Sequence, residues 1–284
     1  MVGGRIIGMK QLLLFFVLVF YSFSEAHSRP PYDGTIFYFK DVINSKDPSS
    51  FQEIVYVGQD NRTMFDRRKN DWISNNAYLF NASYDDGLTI EIQVNSEFKD
   101  NKASEYASQY AKVIGQLPTV LRKDVQTVWI HKGDKPFGGG NQNLLIHIIQ
   151  GEKYISEGIL EEALVHEACH TSLDLDHGNA KGWRAAQKAD DEFISTYAKD
   201  NPKREDIAES FLVWMALRYR TDRISESDVN KILKVRKSGI ESVEVNGHKL
   251  ENIHDIQQIM NSPDNNKYKI VPFKSSKIYL KNST

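Results

Sequence analysis

Glu161-Glu162-Ala163-Leu164-Val165-His166-Glu167-Ala168-Cys169-His170 is the stretch on which the fold and chemistry of this chain turn. Two acidic residues suit the first turn of a helix, whose N-terminal end carries a partial positive charge. The pattern predicts a helix from about Glu157 to Leu175. On a helix, residues i and i+4 share a face, so His166 and His170 can present both imidazoles to one ion. Zinc takes imidazole nitrogen readily, and its reactive sites combine three protein ligands with water. Glu167, directly after the first histidine, is placed to take a proton from that water, which makes it the expected general base and then general acid. Cys169 should point away from the two histidines and behave as a small buried hydrophobe.

A third ligand is required, and the sequence offers several. Asp174 lies at i+4 from His170, Asp176 six residues past it, and His177 one further. In the metzincin pattern the position of Asp176 holds the third ligand, but that pattern wants a glycine where this chain has Leu173. Glu205 falls between Leu212 and Ala216 on a helical wheel, within an apolar arc, and Glu209 sits at its edge. Asp206 points to the opposite side, towards solvent. A lone buried charge is costly, so two carboxylates on such a stripe need partners. Zinc would partner Glu205, and the free N–H of a ligand histidine would partner Glu209. Asp174 and Asp176 are expected to cap or orient the histidine helix and the loop after it, one of them bonding a ligand histidine. Glu205 is the favoured third ligand, with Asp176 and His177 as rivals.

His166-Glu167-Ala168-Cys169-His170 followed by Glu205-Asp206-Ile207-Ala208-Glu209 resembles the gluzincin arrangement of zinc metallopeptidases. From Ser195-Thr196-Tyr197 through Glu209-Ser210-Phe211 the chain is similar to the catalytic domain of anthrax lethal factor and related peptidases, the resemblance covering about residues 155 to 220. It implies an α+β zincin-like domain, Glu205 as the zinc ligand, Tyr197 as a stabiliser of the oxyanion, and a peptide or protein substrate.

The rest of the sequence sets the context. Arg5 and Lys10 precede an apolar run, Leu12 to Tyr21, and Ser24-Glu25-Ala26 supplies small residues for cleavage. That is the pattern of a signal peptide over residues 1–26 and of a secreted protein. Ten apolar residues are too few to span a bilayer, and no later segment qualifies. Asn61, Asn81 and Asn282 each open an N-glycosylation triplet. A net charge of -2 over 284 residues lacks the basic surplus of a nucleic-acid binder. Cys169 is the sole cysteine, so core packing, with a metal, must do what disulfides do in many secreted domains.

Periodicity divides the remainder. Thr35–Phe39, Glu53–Val57 and Thr89–Val94 read as strands. Residues 102–122 read as a helix that Pro118 ends or kinks, Val125–Ile130 as a strand, Gly138-Gly139-Gly140 as a flexible loop, and Leu144–Ile149 as a second strand. His147 would then lie on the strand at the sheet edge nearest substrate, as a strand histidine like His131 rather than a catalytic one. Trp183–Tyr197 reads as a helix, and Asn201-Pro202 as the N-cap and first position of another, from about Pro202 to Arg220. The tail mixes a helix near Ser227–Lys237, a turn at Val245–His248, a helix near Ile253–Met260 and a strand near Tyr268–Val271. The expected organisation is a strand-rich segment over 27–100 packed on a zincin-like catalytic domain over 101–222, with a mixed extension over 223–284. The alternative is a secreted binding or toxin-like protein whose zinc site is only structural.

Overall fold

A computed structural model describes residues 29–36, 42–220, 222–235, 243–245, 248–250, 268–270 and 280–282. The signal segment and the helix expected near Ile253–Met260 lie outside the described residues, as does most of the strand expected at Thr35–Phe39.

The elements in chain order are β1 (Phe51–Asp66), β2 (Asp71–Tyr84), β3 (Thr89–Val94), α1 (Asp100–Ile114), α2 (Thr119–Arg122), β4 (Thr127–His131), β5 (Gly138–Gly140), β6 (Asn143–His147), α3 (Ile148–Glu157), α4 (Leu160–Ser172), α5 (Asp174–His177), α6 (Lys181–Ala189), α7 (Thr196–Asp200), α8 (Glu205–Tyr219) and α9 (Glu226–Val235). Two short ladders follow: β7 (Val243–Val245) with β8 (His248–Leu250), and β9 (Tyr268–Ile270) with β10 (Leu280–Asn282). The protein is thus mixed α+β.

Six strands form one sheet in the order β1-β2-β3-β4-β6-β5. The β1–β2–β3 run is antiparallel, β3, β4 and β6 are parallel, and β5 returns antiparallel along β6 at the edge. Alternation explains the central strands: Ile90, Ile92 and Val94 of β3, Val128 and Ile130 of β4, and Leu144 and Ile146 of β6 are all buried in one core. Against that face α1 lays Ala103, Ala107, Tyr110, Ala111 and Ile114, at the spacing of one helix stripe. The other face carries a smaller cluster, Met64, Ala77 and Leu79 with Ile73 and Trp129. The boundary expected at 100/101 falls just inside α1, whose first residue is Asp100, and the sheet runs across it, so the strand-rich segment supplies three of its six strands.

Several local expectations need correction. Gly138–Gly140 is an edge strand, not a flexible loop, and β6 with His147 is interior, between β4 and β5. The apolar run ending at Ile149 breaks at His147, and Ile148 opens α3, which closes on Gly158 in the left-handed conformation (φ 70°) that glycine accepts at a helix end. The single helix expected over Trp183–Tyr197 is two, α6 and α7, and Asn201 ends α7 rather than capping α8. The one-sided apolar arc expected for α8 also fails. Every residue of α4 except Glu167 is buried, and α8 is buried from Glu205 through Ala216, so both are central helices packed against each other. Asp206 is therefore buried too, its Oδ2 accepting from Gln187 Nε2 at 2.8 Å instead of facing water.

Candidate metal centre

The centre lies where α4 crosses α8. One helical turn brings His166 and His170 together, their ring centroids 4.9 Å apart. Glu205, the first residue of α8, closes the group: its Oε2 is 3.2 Å from His166 Nε2 and 3.0 Å from His170 Nε2, and the two Nε2 atoms are 3.2 Å apart. The three side chains are the only His/Cys/Asp/Glu group among the described residues whose ligand atoms lie close enough to hold an ion. All three are buried. Neither Asp176, which is exposed, nor His177 belongs to the group.

The outward atoms of the triad are each anchored. His170 Nδ1 is 2.8 Å from Asp174 Oδ2. His166 Nδ1 is 3.3 Å from Glu209 Oε1. Arg204 Nε is 3.2 Å from Glu205 Oε1. A carboxylate at Nδ1 fixes the tautomer that frees Nε2 as a ligand. The result is two nitrogens and one oxygen facing a common point. Donors around a tetrahedral zinc with bonds of about 2.05 Å stand about 3.3 Å apart, so the observed 3.0 to 3.2 Å lies within a few tenths of an ångström of the spacing such an ion needs. The residues present fit a metal ion.

Electrostatics agree with the donor set. Burial alone lowers the basicity of His166, but contact with Glu205 and then Glu209 outweighs it and lifts its pKa to about 10. His170 is raised too, Asp174 and Glu205 overcoming burial. Against burial, the two histidines hold the Glu205 carboxyl well below the usual range. The pocket thus prefers positive charge, carried by protons when no cation is bound.

Glu167 is the one residue of α4 that reaches solvent, beside the triad but outside it. Tyr197, on α7, is close enough to Glu205 to feel its charge; burial, and then Glu205, push its phenol up to about 12. Glu209 is further held by residues that sequence reasoning missed. Its Oε2 accepts from Ser195 Oγ at 2.7 Å and from the Ile36 backbone N–H at 3.0 Å. Ser195 also caps α7 by accepting from Ala198 N at 3.0 Å, so one hydroxyl couples the Tyr197 helix to the carboxylate behind His166. The serine three residues before Ala198 was a readable cap signal, whereas the Ile36 amide leaves no trace in sequence.

No family model, no curated protein and no solved structure matches this chain.

Of the other sites, Asn61 on β1 and Asn81 on β2 are exposed, and Asn282 lies on β10. Cys169 is fully buried. No helix among the described residues is long and apolar enough to cross a membrane.

Proposed function

We propose that this protein is a secreted zinc peptidase of the gluzincin type, with a zincin-like domain organised around α4 and α8. The observation that carries the reading is the convergence of His166 Nε2, His170 Nε2 and Glu205 Oε2 in a buried site, next to the one residue of α4 left open to solvent, Glu167. Two imidazoles and a carboxylate are a donor set suited to zinc. A structural zinc site is closed by four protein ligands; three donors leave a position for water or substrate, which favours catalysis over a purely structural metal.

Bound there, zinc supplies a Lewis acid that polarises the scissile carbonyl and acidifies water. Glu167 accepts the proton from the attacking water and passes it to the departing amine. Tyr197 keeps its phenolic proton near neutral pH, so it is a hydrogen-bond donor for the oxygen on which negative charge develops. Asp174 and Glu209 hold the two imidazoles in the ligating tautomer, and Ser195 holds Glu209. The leader at residues 1–26 and the exposed acceptors Asn61 and Asn81 support the secretory route.

A diverse peptide library incubated with the purified protein, with and without chelator, tests the reading. Cleavage that chelator stops and zinc restores is the expected result. No cleavage by a protein shown to contain zinc would leave the metal purely structural.

A further inference from the structure

Arg67 and Arg68 are neighbours at the tip of the β1–β2 hairpin, and their surroundings treat them differently. The Arg68 guanidinium sits between two carboxylates, Nη2 2.8 Å from Asp66 Oδ2 and Nη1 2.9 Å from Glu97 Oε2. Arg67 Nη1 donates only to backbone carbonyls, at 3.2 Å to Pro136 O and 2.6 Å to Phe137 O. No carboxylate pairs with Arg67 among the described residues. The two carbonyl dipoles engage Nη1 but bring no negative charge, so the half-buried guanidinium has no carboxylate to compensate it.

That charge stands at the start of β5. Asn141 and Gln142, both at positive φ (50° and 59°), make the two-residue turn of the β5–β6 hairpin. Gly140 pairs with Asn143, and its N–H donates to Thr171 Oγ1 at 2.9 Å. By alternation, Gly139 opposite Leu144 directs its N–H and C=O away from β6, to the outer edge of the sheet. With glycine at all three positions, no side chain of β5 itself stands over that edge. A Cβ on Gly139 would overlap the Glu167 carbonyl, and a Cβ on Gly138 would press on the Arg67 guanidinium. Adjacent residues of one edge strand therefore pack on the Glu167 backbone on one face and on the Arg67 guanidinium on the other. Tyr154, its ring edge-on to Phe137 at 5.0 Å, lies within electrostatic reach of both charges.

We infer that Arg67 selects an acidic side chain, Asp or Glu, close to the bond being cut, in an extended peptide laid along the outer edge of β5. The inference rests on the peptidase reading and names the substrate class for it. Strand addition to Gly139 gives backbone bonds that are blind to sequence. Alternation sends successive peptide side chains to opposite faces, so some face α4 and their neighbours face Arg67. A carboxylate there compensates the guanidinium, while a neutral or basic side chain leaves it unpaired or repelled.

The test is a peptide series carrying Asp or Asn at one position at a time, cleaved by the zinc-loaded wild type, Arg67→Lys and Arg67→Gln. At one position the wild type should favour Asp by about tenfold in kcat/KM, the scale of one partly buried charge pair. Added salt should shrink that ratio. Arg67→Lys should keep most of it and Arg67→Gln should lose it. Equal rates for Asp and Asn on the wild type at low salt, or an Asp preference that survives Arg67→Gln, overturns the inference. Should Arg67→Gln fail to fold, the wild-type ratio and its salt dependence decide. If the wild type cleaves nothing, the peptidase reading fails by itself, and fluorescence anisotropy of the same peptide pairs on Glu167→Gln protein then judges Arg67. Tighter binding of the Asp peptide upholds the acidic preference, and equal binding overturns it.

Discussion

Among the described residues the protein holds two buried histidine pairs, and they behave in opposite ways. His166 and His170 are four residues apart on a helix, with Glu205, Glu209 and Asp174 around them. His131 and His147 face each other at the ends of the parallel strands β4 and β6, their rings stacked 5.7 Å apart. Both members of the second pair have no exposed surface. The first pair is made more basic, with His166 near 10; burial makes the second less basic, both near 4, with Asp66 opposing it at His131 more strongly than Arg68 adds to it, and with His131 and then Arg68 lowering His147 further. His131 Nδ1 accepts from the Asn95 amide at 3.0 Å, and neither ring nitrogen of His147 has a hydrogen-bond partner among the described residues. Burial by itself therefore does not favour a cation. Carboxylates aimed at both ends of each imidazole do, because they convert a costly desolvation into a site that could hold one.

The comparison breaks most visibly at Glu167. Glu167→Gln should cut peptide hydrolysis by about a thousandfold while zinc content stays at wild-type level, since the side chain lies outside the ligand group. A variant of unchanged activity would remove Glu167 as the base. Tyr197→Phe comes next, with kcat expected to fall about a hundredfold and KM to stay within about twofold. A change confined to KM would move the phenol from the oxyanion to ground-state binding.

Smaller effects sharpen the role of the surrounding carboxylates. Glu209→Gln and Ser195→Ala should weaken zinc binding about tenfold or more in a chelator competition, through loss of orientation at His166. Unaltered affinity in both would make that chain of contacts structural only. The smallest effect belongs to the strand pair. Its folded pKa values of about 4 lie below the ordinary value of 6.5, so between these the unfolded chain binds more protons. Stability contributed by the neutral pair is complete above about pH 6.5 and is lost as pH falls towards 4. His147→Leu should flatten that slope, by about 2 kcal/mol or less, and leave zinc content untouched. Denaturant midpoints between pH 4 and 7 measure it, and an unchanged slope would mean His147 is not the titrating group.

Legibility in the sequence followed the same divide. The triad could be read because i,i+4 spacing is a helix rule and because Glu205 and Glu209 violate an apolar arc in a way that demands partners. The sheet was partly legible: β3 alternates, so Thr89–Val94 matches its expectation residue for residue. β5 was not, since three glycines carry no alternation to read. α3 was hidden because Ile148-Ile149 continues the apolar run of β6 without a break in composition. A helical wheel assumes one wet face, which is why Asp206 was assigned to solvent although α8 is wrapped on all sides. The Ile36 amide on Glu209 joins positions 173 residues apart, and only the fold brings them together.

The most direct test is the zinc content of the purified protein beside that of Glu205→Gln. One zinc per chain in the wild type, and a substoichiometric amount in the variant with its fold retained by circular dichroism, is the result expected from His166, His170 and Glu205 as the ligands. Stoichiometric zinc in Glu205→Gln, or a wild type that takes up none, would contradict it.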